Sequence, residues 1–283
     1  MYGLIDGKKL AAETRVQIKE LASAFKAEFN RDIGLAVVLV GNDQASQVYV
    51  RNKIKACEET GIKSYAYYLP ENVRQDEVES LVDGLAADDA IDGILVQLPL
   101  PGHLNADAVL ARIPAEKDVD GFSAENTGKL CRNEECIVAC TPYGVMKMLE
   151  KYGINLRGRK AVILGRSDIV GKPLAMLLIN ADATVTVCHS KTRDLKEECL
   201  KADILVAAIG KPKFVSSDMV KDGAVVIDVG INRDENGKLC GDVDFENVKY
   251  KCSYITPVPG GVGPMTITML MYNTYVAASR RRR

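Results

Sequence analysis

The chain carries almost no imbalance of charge: 37 Lys and Arg stand against 38 Asp and Glu, for a formal net charge of −1. A surface so evenly balanced has no general attraction for polyanions, which argues against nucleic-acid binding and against adsorption to an anionic membrane. The one basic run, Arg280–Arg283, is expected to be a solvated tail. Also missing is an uninterrupted apolar stretch of the roughly 20 residues that a membrane span needs. The opening Met1-Tyr2-Gly3-Leu4-Ile5-Asp6 lacks the basic and apolar regions of a signal peptide, so a cytoplasmic location is expected. Eight cysteines occur, but scattered through a chain of this size they suit reduced thiols better than a disulfide framework. Cys131, Cys136 and Cys140 lie close together, yet their spacing matches no usual zinc pattern and no histidine is near, so no metal site is assigned. Internal repeats, low-complexity segments and a Ser/Gly-rich linker are absent as well.

What is present is the composition of an ordinary globular protein, 283 residues with 47% hydrophobic and 27% charged, enough for two domains. Strand-like apolar runs at Ile33–Val40, Ser64–Leu69 and Ile91–Leu98 are each followed by a more polar segment, the βαβ signature. Leu10, Ile18, Leu21, Ala22, Phe25 and Phe29 recur mostly at three- and four-residue spacing, which predicts a helix with one apolar stripe. A second series of short β-branched runs follows at Lys160–Leu164, Thr184–Cys188, Ile204–Ala208, Ala224–Asp228 and Tyr254–Thr256, and predicts a parallel sheet. The fold class expected is α/β with two domains. An N-terminal substrate domain would span residues 1–140, joined by a C-terminal helix within 265–283, and a Rossmann-like nucleotide domain would span 141–264.

Three regions carry chemistry. In Ser46-Gln47-Val48-Tyr49-Val50-Arg51-Asn52-Lys53-Ile54-Lys55, Tyr49 and Lys53 are four apart and share one helix face, so a phenol and an ammonium project together. A lysine partly withdrawn from water can act as acid or base near neutral pH. Lys55 faces away and reads as a solvated lysine. Gln97, in Val96-Gln97-Leu98-Pro99-Leu100-Pro101, lies at a strand end, where α/β sheets bind ligands, and a neutral amide there can hydrogen-bond a lysine or a substrate. In Lys117-Asp118-Val119-Asp120-Gly121-Phe122, the Asp120 carboxylate can accept two N–H donors from a heterocycle, although Asp118 and Asp120 are also ordinary turn formers.

The run Ala161–Pro173 reads as a strand, a turn containing Gly165 and Gly171, and a helix start. Such a turn directs backbone N–H groups at a pyrophosphate. It departs from G-x-G-x-x-G, since Ser167 takes the second glycine position and Gly171 comes one residue late. A P-loop is rejected, because five residues separate the glycines and Pro173 replaces the hydroxyl residue that would hold magnesium. After the next strand, Ser190, Lys191 and Arg193 stand where an NAD-specific fold usually carries an acid, and with Arg166 and Ser167 they favour the 2′-phosphate of NADP. Finally Tyr254–Thr266 holds three prolines and three glycines, a shaped backbone surface whose X-Pro bonds are candidates for cis geometry. Asp234–Gly237 reads as a plain hairpin turn.

The blocks SQVYVRNKIKACEETGI, ILVQLPLPGHL, KDVDGF, CTPYG, GRSDIVGKP, CHSKT, GAVVIDVGINR and YITPVPGGVGPMT, in this order, closely resemble the bifunctional methylenetetrahydrofolate dehydrogenase/methenyltetrahydrofolate cyclohydrolase family. The resemblance covers essentially the whole chain. It implies NADP-linked oxidation of 5,10-methylenetetrahydrofolate to the methenyl form, then hydrolysis to 10-formyltetrahydrofolate in a cleft between the domains, within one-carbon metabolism and purine biosynthesis. By the same resemblance Lys53 is the catalytic lysine, Gln97 tunes it and Tyr49 packs on the aminobenzoyl ring. Leu98 lines the substrate site, Asp120 holds the pterin, and Pro259, Gly260 and Gly261 shape the folate wall. Gly165, Arg166, Ser167 and Ser190 hold the cofactor, with Ile231 beside the nicotinamide and Thr268 nearby. Asp168 is the awkward residue, an acid beside the expected phosphate. A homodimer through the nucleotide domain is also implied. The alternatives are a dehydrogenase without the second activity, a shikimate-dehydrogenase-like reductase, which the Pro-Gly loop disfavours, and a cofactor-binding regulator, which the presence of Lys53 and Gln97 disfavours.

Overall fold

Gly34–Val40 is apolar at every position and forms a strand buried along its whole length. Continuous burial of this kind is what the centre of a parallel sheet demands, since both faces are covered. In the computed structural model, which describes residues 2–282, this strand pairs in parallel with Lys63–Leu69 on one side and Gly93–Val96 on the other. From Tyr65 on, the outer strand Lys63–Leu69 alternates in burial, as an edge strand with one wet face should. Helix Gln44–Thr60 follows the central strand. Asp43 caps its start by accepting from the Ser46 N–H at 2.7 Å, and Gly61, at φ +72°, ends it in the left-handed conformation. Helix Gln75–Ala87 turns Val78, Val82 and Leu85 inward at four- and three-residue spacing.

This three-stranded unit comprises Ala12–Lys129, Glu134–Cys140 and the residues from Ile267 onward. Buried Asp92 is its main electrostatic tie. It takes two bonds from the Arg31 guanidinium at 2.8 and 2.7 Å, one from the Gly34 N–H at 3.0 Å and one from Arg281 at 3.1 Å. Arg281, and Arg280 before it, are therefore not part of a solvated tail. Arg281 also donates to the Ile91 carbonyl at 2.7 Å and pairs with Asp89, and Arg280 pairs with Glu135 at 2.8 Å. A fork of five donors finds buried acceptors here that a count of basic letters does not reveal. Arg283 lies outside the described residues.

The second unit holds the residues through Ala11, Leu130–Asn133 and Thr141–Thr266. Its six strands are all parallel, in the order Gly3–Leu4, Tyr254–Ile255, Val225–Asp228, Ile204–Ala207, Lys160–Leu164, Thr184–Cys188. The chain leaves Lys160–Leu164 to one side, returns past it and continues on the other, which makes the end of that strand a topological switch point. The edge strand Gly3–Leu4 belongs to this sheet rather than to the sheet nearest in sequence. Two residues are too few to show a period, so only the pairing with Tyr254–Ile255 places them. Asn232–Arg233 and Leu239–Cys240 form a small antiparallel hairpin around Asp234–Gly237, as its turn residues predict. The last helix runs Val262–Arg280, beginning earlier than the apolar stretch that announced it. Pro264 sits in its first turn, where a missing N–H costs nothing.

Candidate active site

Helix Gln44–Thr60 buries Ser46, Val50 and Cys57, which leaves Tyr49 and Lys53 one turn apart at the margin of that buried stripe. Lys53 is half-buried, and its Nζ donates to Gln97 Oε1 at 2.9 Å. The Gln97 amide is held in that sense because its Nε2 donates to the Leu98 carbonyl at 2.6 Å. The Leu98–Pro99 peptide that follows is cis. Tyr49 keeps 39% of its surface exposed, enough to meet a ligand face. Lys55, fully on the wet side, is 4.0 Å from Glu59 and takes no part in this group.

The structure separates the two carboxylates of Lys117–Phe122. Asp118 is buried and fully used, accepting from the Gly121 N–H at 3.0 Å, the Ser123 N–H at 2.7 Å and Asn126 Nδ2 at 3.2 Å. It is a turn former. Asp120 makes no hydrogen bond through its carboxylate among the described residues, and burial raises its acid to about 6 against the pull of the Lys53 ammonium. Lys117 is structural too: its buried ammonium donates to the carbonyls of Leu85, Ala86 and Asp88 and so closes the end of helix Gln75–Ala87. Lys53, Gln97, Leu98 and Asp120 thus come together within one unit, with Tyr49 on the same helix face as Lys53. The arrangement offers a cation, a neutral amide that orients it, an acceptor carboxylate and a ring face.

At the switch point of the six-stranded unit, Gly165 adopts φ +115°, and a Cβ there would lie 2.2 Å from the Ala208 carbonyl oxygen. Only glycine allows the chain to turn so close to the neighbouring strand. Ser167 Oγ accepts from the Val170 and Gly171 N–H groups at 3.2 and 3.4 Å and thereby shapes the start of helix Gly171–Asn180. The N–H groups of Arg166–Ile169 form no backbone bond among the described residues, so the turn can receive an anion. Asp168 pairs with Lys172 at 2.5 Å, which offsets the acid that the sequence sets beside this turn. Arg166, Ser167, Ser190, Lys191 and Arg193 are exposed around the carboxyl ends of Lys160–Leu164 and Thr184–Cys188. In the second of these loops His189 Nδ1 accepts from the Lys191 N–H at 3.1 Å, and Thr192 Oγ1 accepts from the His189 N–H at 2.9 Å.

Ile231 is 50% exposed beyond the carboxyl end of Val225–Asp228. The Val258–Pro259 peptide is cis, and the Gly260 carbonyl accepts from the Lys8 N–H at 2.8 Å, so the Pro-Gly loop is anchored within the same six-stranded unit. Thr268 is fully buried, accepts from Arg15 Nε at 3.0 Å and belongs to the three-stranded unit, apart from the other cofactor-side residues. Two buried carboxylates at the sheet's carboxyl end, Asp228 and Asp242, escaped the sequence reading. The signal for Asp228 is an acid ending an apolar strand; nothing local marks Asp242. Among the described residues no helix is long and apolar enough to cross a membrane, and no three or more of His, Cys, Asp and Glu are grouped so that they could hold a metal ion.

Comparison with known proteins identifies the family. The profile described as "Tetrahydrofolate dehydrogenase/cyclohydrolase, catalytic domain" matches residues 5–120, and that described as "Tetrahydrofolate dehydrogenase/cyclohydrolase, NAD(P)-binding domain" matches residues 139–282. The curated "Bifunctional protein FolD" of Campylobacter concisus is 58% identical over 278 residues, 98% of each chain. The crystal structure of the bifunctional FolD enzyme, a methylenetetrahydrofolate dehydrogenase/cyclohydrolase, from Campylobacter jejuni is 52% identical with a TM-score of 0.97, covering 99% of this chain and 100% of that one. The Trypanosoma brucei FolD enzyme, solved with NADP cofactor and inhibitor, is 40% identical with a TM-score of 0.95, covering 100% and 99%. A shikimate 5-dehydrogenase from Thermus thermophilus, at 17% identity and a TM-score of 0.53, shares the fold alone.

Proposed function

The chain belongs to the tetrahydrofolate dehydrogenase/cyclohydrolase family, and we propose that it oxidises 5,10-methylenetetrahydrofolate with NADP and hydrolyses the resulting methenyl cation to 10-formyltetrahydrofolate. The observation that carries the assignment of residues is the Lys53–Gln97 pair at 2.9 Å, with Asp120 beside it. In this reading the three-stranded unit supplies the lysine and carboxylate of the folate side and the six-stranded unit the cofactor side; the residues through Ala11, expected with the first, fold with the second because Gly3–Leu4 pairs with Tyr254–Ile255. Asp120 accepts N–H donors of the pterin, Tyr49 and Leu98 face the aminobenzoyl part, and Pro259, Gly260 and Gly261 form the folate wall.

NADP, when bound, supplies the hydride acceptor. The turn at Gly165 fits its pyrophosphate, because free N–H groups and the start of a ten-residue helix converge there. Arg166, Ser167 and Ser190 hold the 2′-phosphate, Ile231 contacts the nicotinamide end, and Thr268 lies near the cofactor. Oxidation asks the protein mainly for placement, since the folate nitrogens already stabilise the cation left on the one-carbon unit. Hydrolysis asks for a base. Lys53 takes the proton from the attacking water and returns it as the ring carbon–nitrogen bond opens, and Gln97 orients its Nζ without adding a charge that would hold it cationic. A homodimer acting in the cytoplasm and feeding purine biosynthesis completes the proposal.

The test mixes purified protein with methylenetetrahydrofolate and NADP while NADPH and methenyl absorbance are followed together, then repeats with methenyltetrahydrofolate alone. NADPH formation with little methenyl build-up, and decay of added methenyl faster than in buffer, are expected. NADPH with accumulating methenyl would leave a dehydrogenase only, and neither signal would overturn the assignment.

A further inference from the structure

Strands Ile204–Ala207 and Val225–Asp228 are neighbours in the six-stranded sheet, and their carboxyl ends open into the loops Ile209–Lys211 and Val229–Asn232. Asp242, with no exposed surface, ties the two loops together. Its Oδ2 accepts from the Ile209 and Gly210 N–H groups at 2.6 and 3.1 Å. Its Oδ1 accepts from the Lys211 N–H at 2.8 Å and from Asn232 Nδ2 at 2.9 Å. Asp228 fixes Asp242 in turn: Asp228 Oδ1 accepts from the N–H groups of Gly230 and Asp242 at 3.0 and 2.9 Å, and Oδ2 from that of Val243 at 2.9 Å. The approach is so close that a Cβ on Gly230 would lie 2.3 Å from Asp242 Oδ1, and one on Gly241 1.8 Å from Asp228 Oδ2. Both carboxylates have every oxygen committed to a donor, so neither is a reacting group. Within the second tied segment, next to Asn232, stands Ile231, a large apolar side chain left 50% exposed at the edge where parallel sheets take their ligands.

We infer that Asp242, backed by Asp228, is a positioning residue for the dehydrogenase step, holding the loops Ile209–Lys211 and Val229–Asn232 so that Ile231 meets the redox end of the nicotinamide cofactor. The inference rests on the proposed dehydrogenase reading. A hydride moves only between carbons held in near-attack geometry, and small displacements of the supporting surface are expensive. Hydrolysis of the methenyl substrate needs no nicotinamide and is indifferent to that surface, so the second activity of the same chain serves as an internal control.

The experiment compares the full-length parent, Asn232→Ala and Asp242→Asn. Asn232→Ala removes one bond to Asp242 without touching the buried carboxylates, and Asp242→Asn turns an acceptor into a donor facing donors. For each, kcat and KM with NADP are measured beside the rate of methenyltetrahydrofolate hydrolysis. Asn232→Ala is expected to lower dehydrogenase kcat about tenfold, the size of one lost positioning contact, with hydrolysis within about twofold of the parent. Asp242→Asn is expected to follow the same split more strongly where it folds, and Asn232→Ala decides the question where it does not. Parental dehydrogenase activity in Asn232→Ala, or equal losses of both activities, overturns the inference. Absence of either activity in the parent itself overturns the functional reading instead, so the two failures are told apart.

Discussion

Lys53 Nζ and Gln97 Oε1 lie 2.9 Å apart although 44 positions separate them in the chain. One comes from the third turn of a helix, the other from just past the end of a strand, and the central strand Gly34–Val40 pairs directly with the strand that delivers Gln97. The amide cannot present its nitrogen to the lysine while that nitrogen holds the Leu98 carbonyl at 2.6 Å. Lys53 therefore meets an acceptor of no net charge.

Lys53→Met removes the proton carrier and keeps the bulk of the stem. Hydrolysis of methenyltetrahydrofolate is expected to fall at least about a hundredfold, the lower bound for a general acid–base group, with a smaller loss of NADP reduction. Gln97→Ala combined with Lys53→Met is expected to cost little more than Lys53→Met alone, since both act through one contact. Parental hydrolysis in Lys53→Met would end the assignment of Lys53.

The Asp120 acid, raised by burial to about 6, must be ionised to accept two N–H donors. KM for the folate substrate is expected to climb as pH falls through about 6, and Asp120→Asn to flatten that profile. The sign for stability is the opposite of that for binding. A folded-state value above the unfolded one means that the native protein binds more protons between the two, so this group's contribution to stability declines as pH rises through that window. Asp120→Asn should accordingly raise the melting temperature more at pH 8 than at pH 5, as read by calorimetry at both pH values.

Arg166 is exposed beside the Gly165 turn. If it holds the 2′-phosphate by a charge-assisted bond, Arg166→Ala raises KM for NADP about tenfold or more and leaves KM for NAD nearly unchanged. A parent that clearly prefers NAD would reverse the cofactor assignment, and steady-state kinetics with both nucleotides decides it.

Asp92 has no exposed side-chain surface and holds Arg31, Arg281 and the Gly34 N–H together. Asp92→Ala removes the buried carboxylate partner of two guanidinium groups and is expected to cost about 3–5 kcal/mol of stability, as loss of one partner of a buried ion pair does. Urea unfolding measures it, and Arg281→Ala alone should cost less, because Arg31 still pairs with the carboxylate at two points.

Local patterns were enough where local physics decides the outcome. Gly34–Val40 and, after its exposed first residue, Lys160–Leu164 declare themselves because a strand covered on both faces must be apolar along its covered length. The helix through Tyr49 and Lys53 follows from their four-residue spacing, and with it their shared face. The turn at Gly165 is legible because few residues other than glycine accept φ +115°. Tertiary structure alone decided the rest. Asp118 and Asp120 are equivalent turn formers by their letters, and differ only because Gly121, Ser123 and Asn126 commit their donors to Asp118. Arg281 reads as the end of a basic tail until Asp92, 189 positions away, supplies a buried acceptor. The partners of Asp242 stand 10 to 33 positions off, beyond any helical or strand period. Periodicity records which face of an element meets water; which buried donor answers which acceptor depends on strand order, and the order is settled only when the whole sheet assembles.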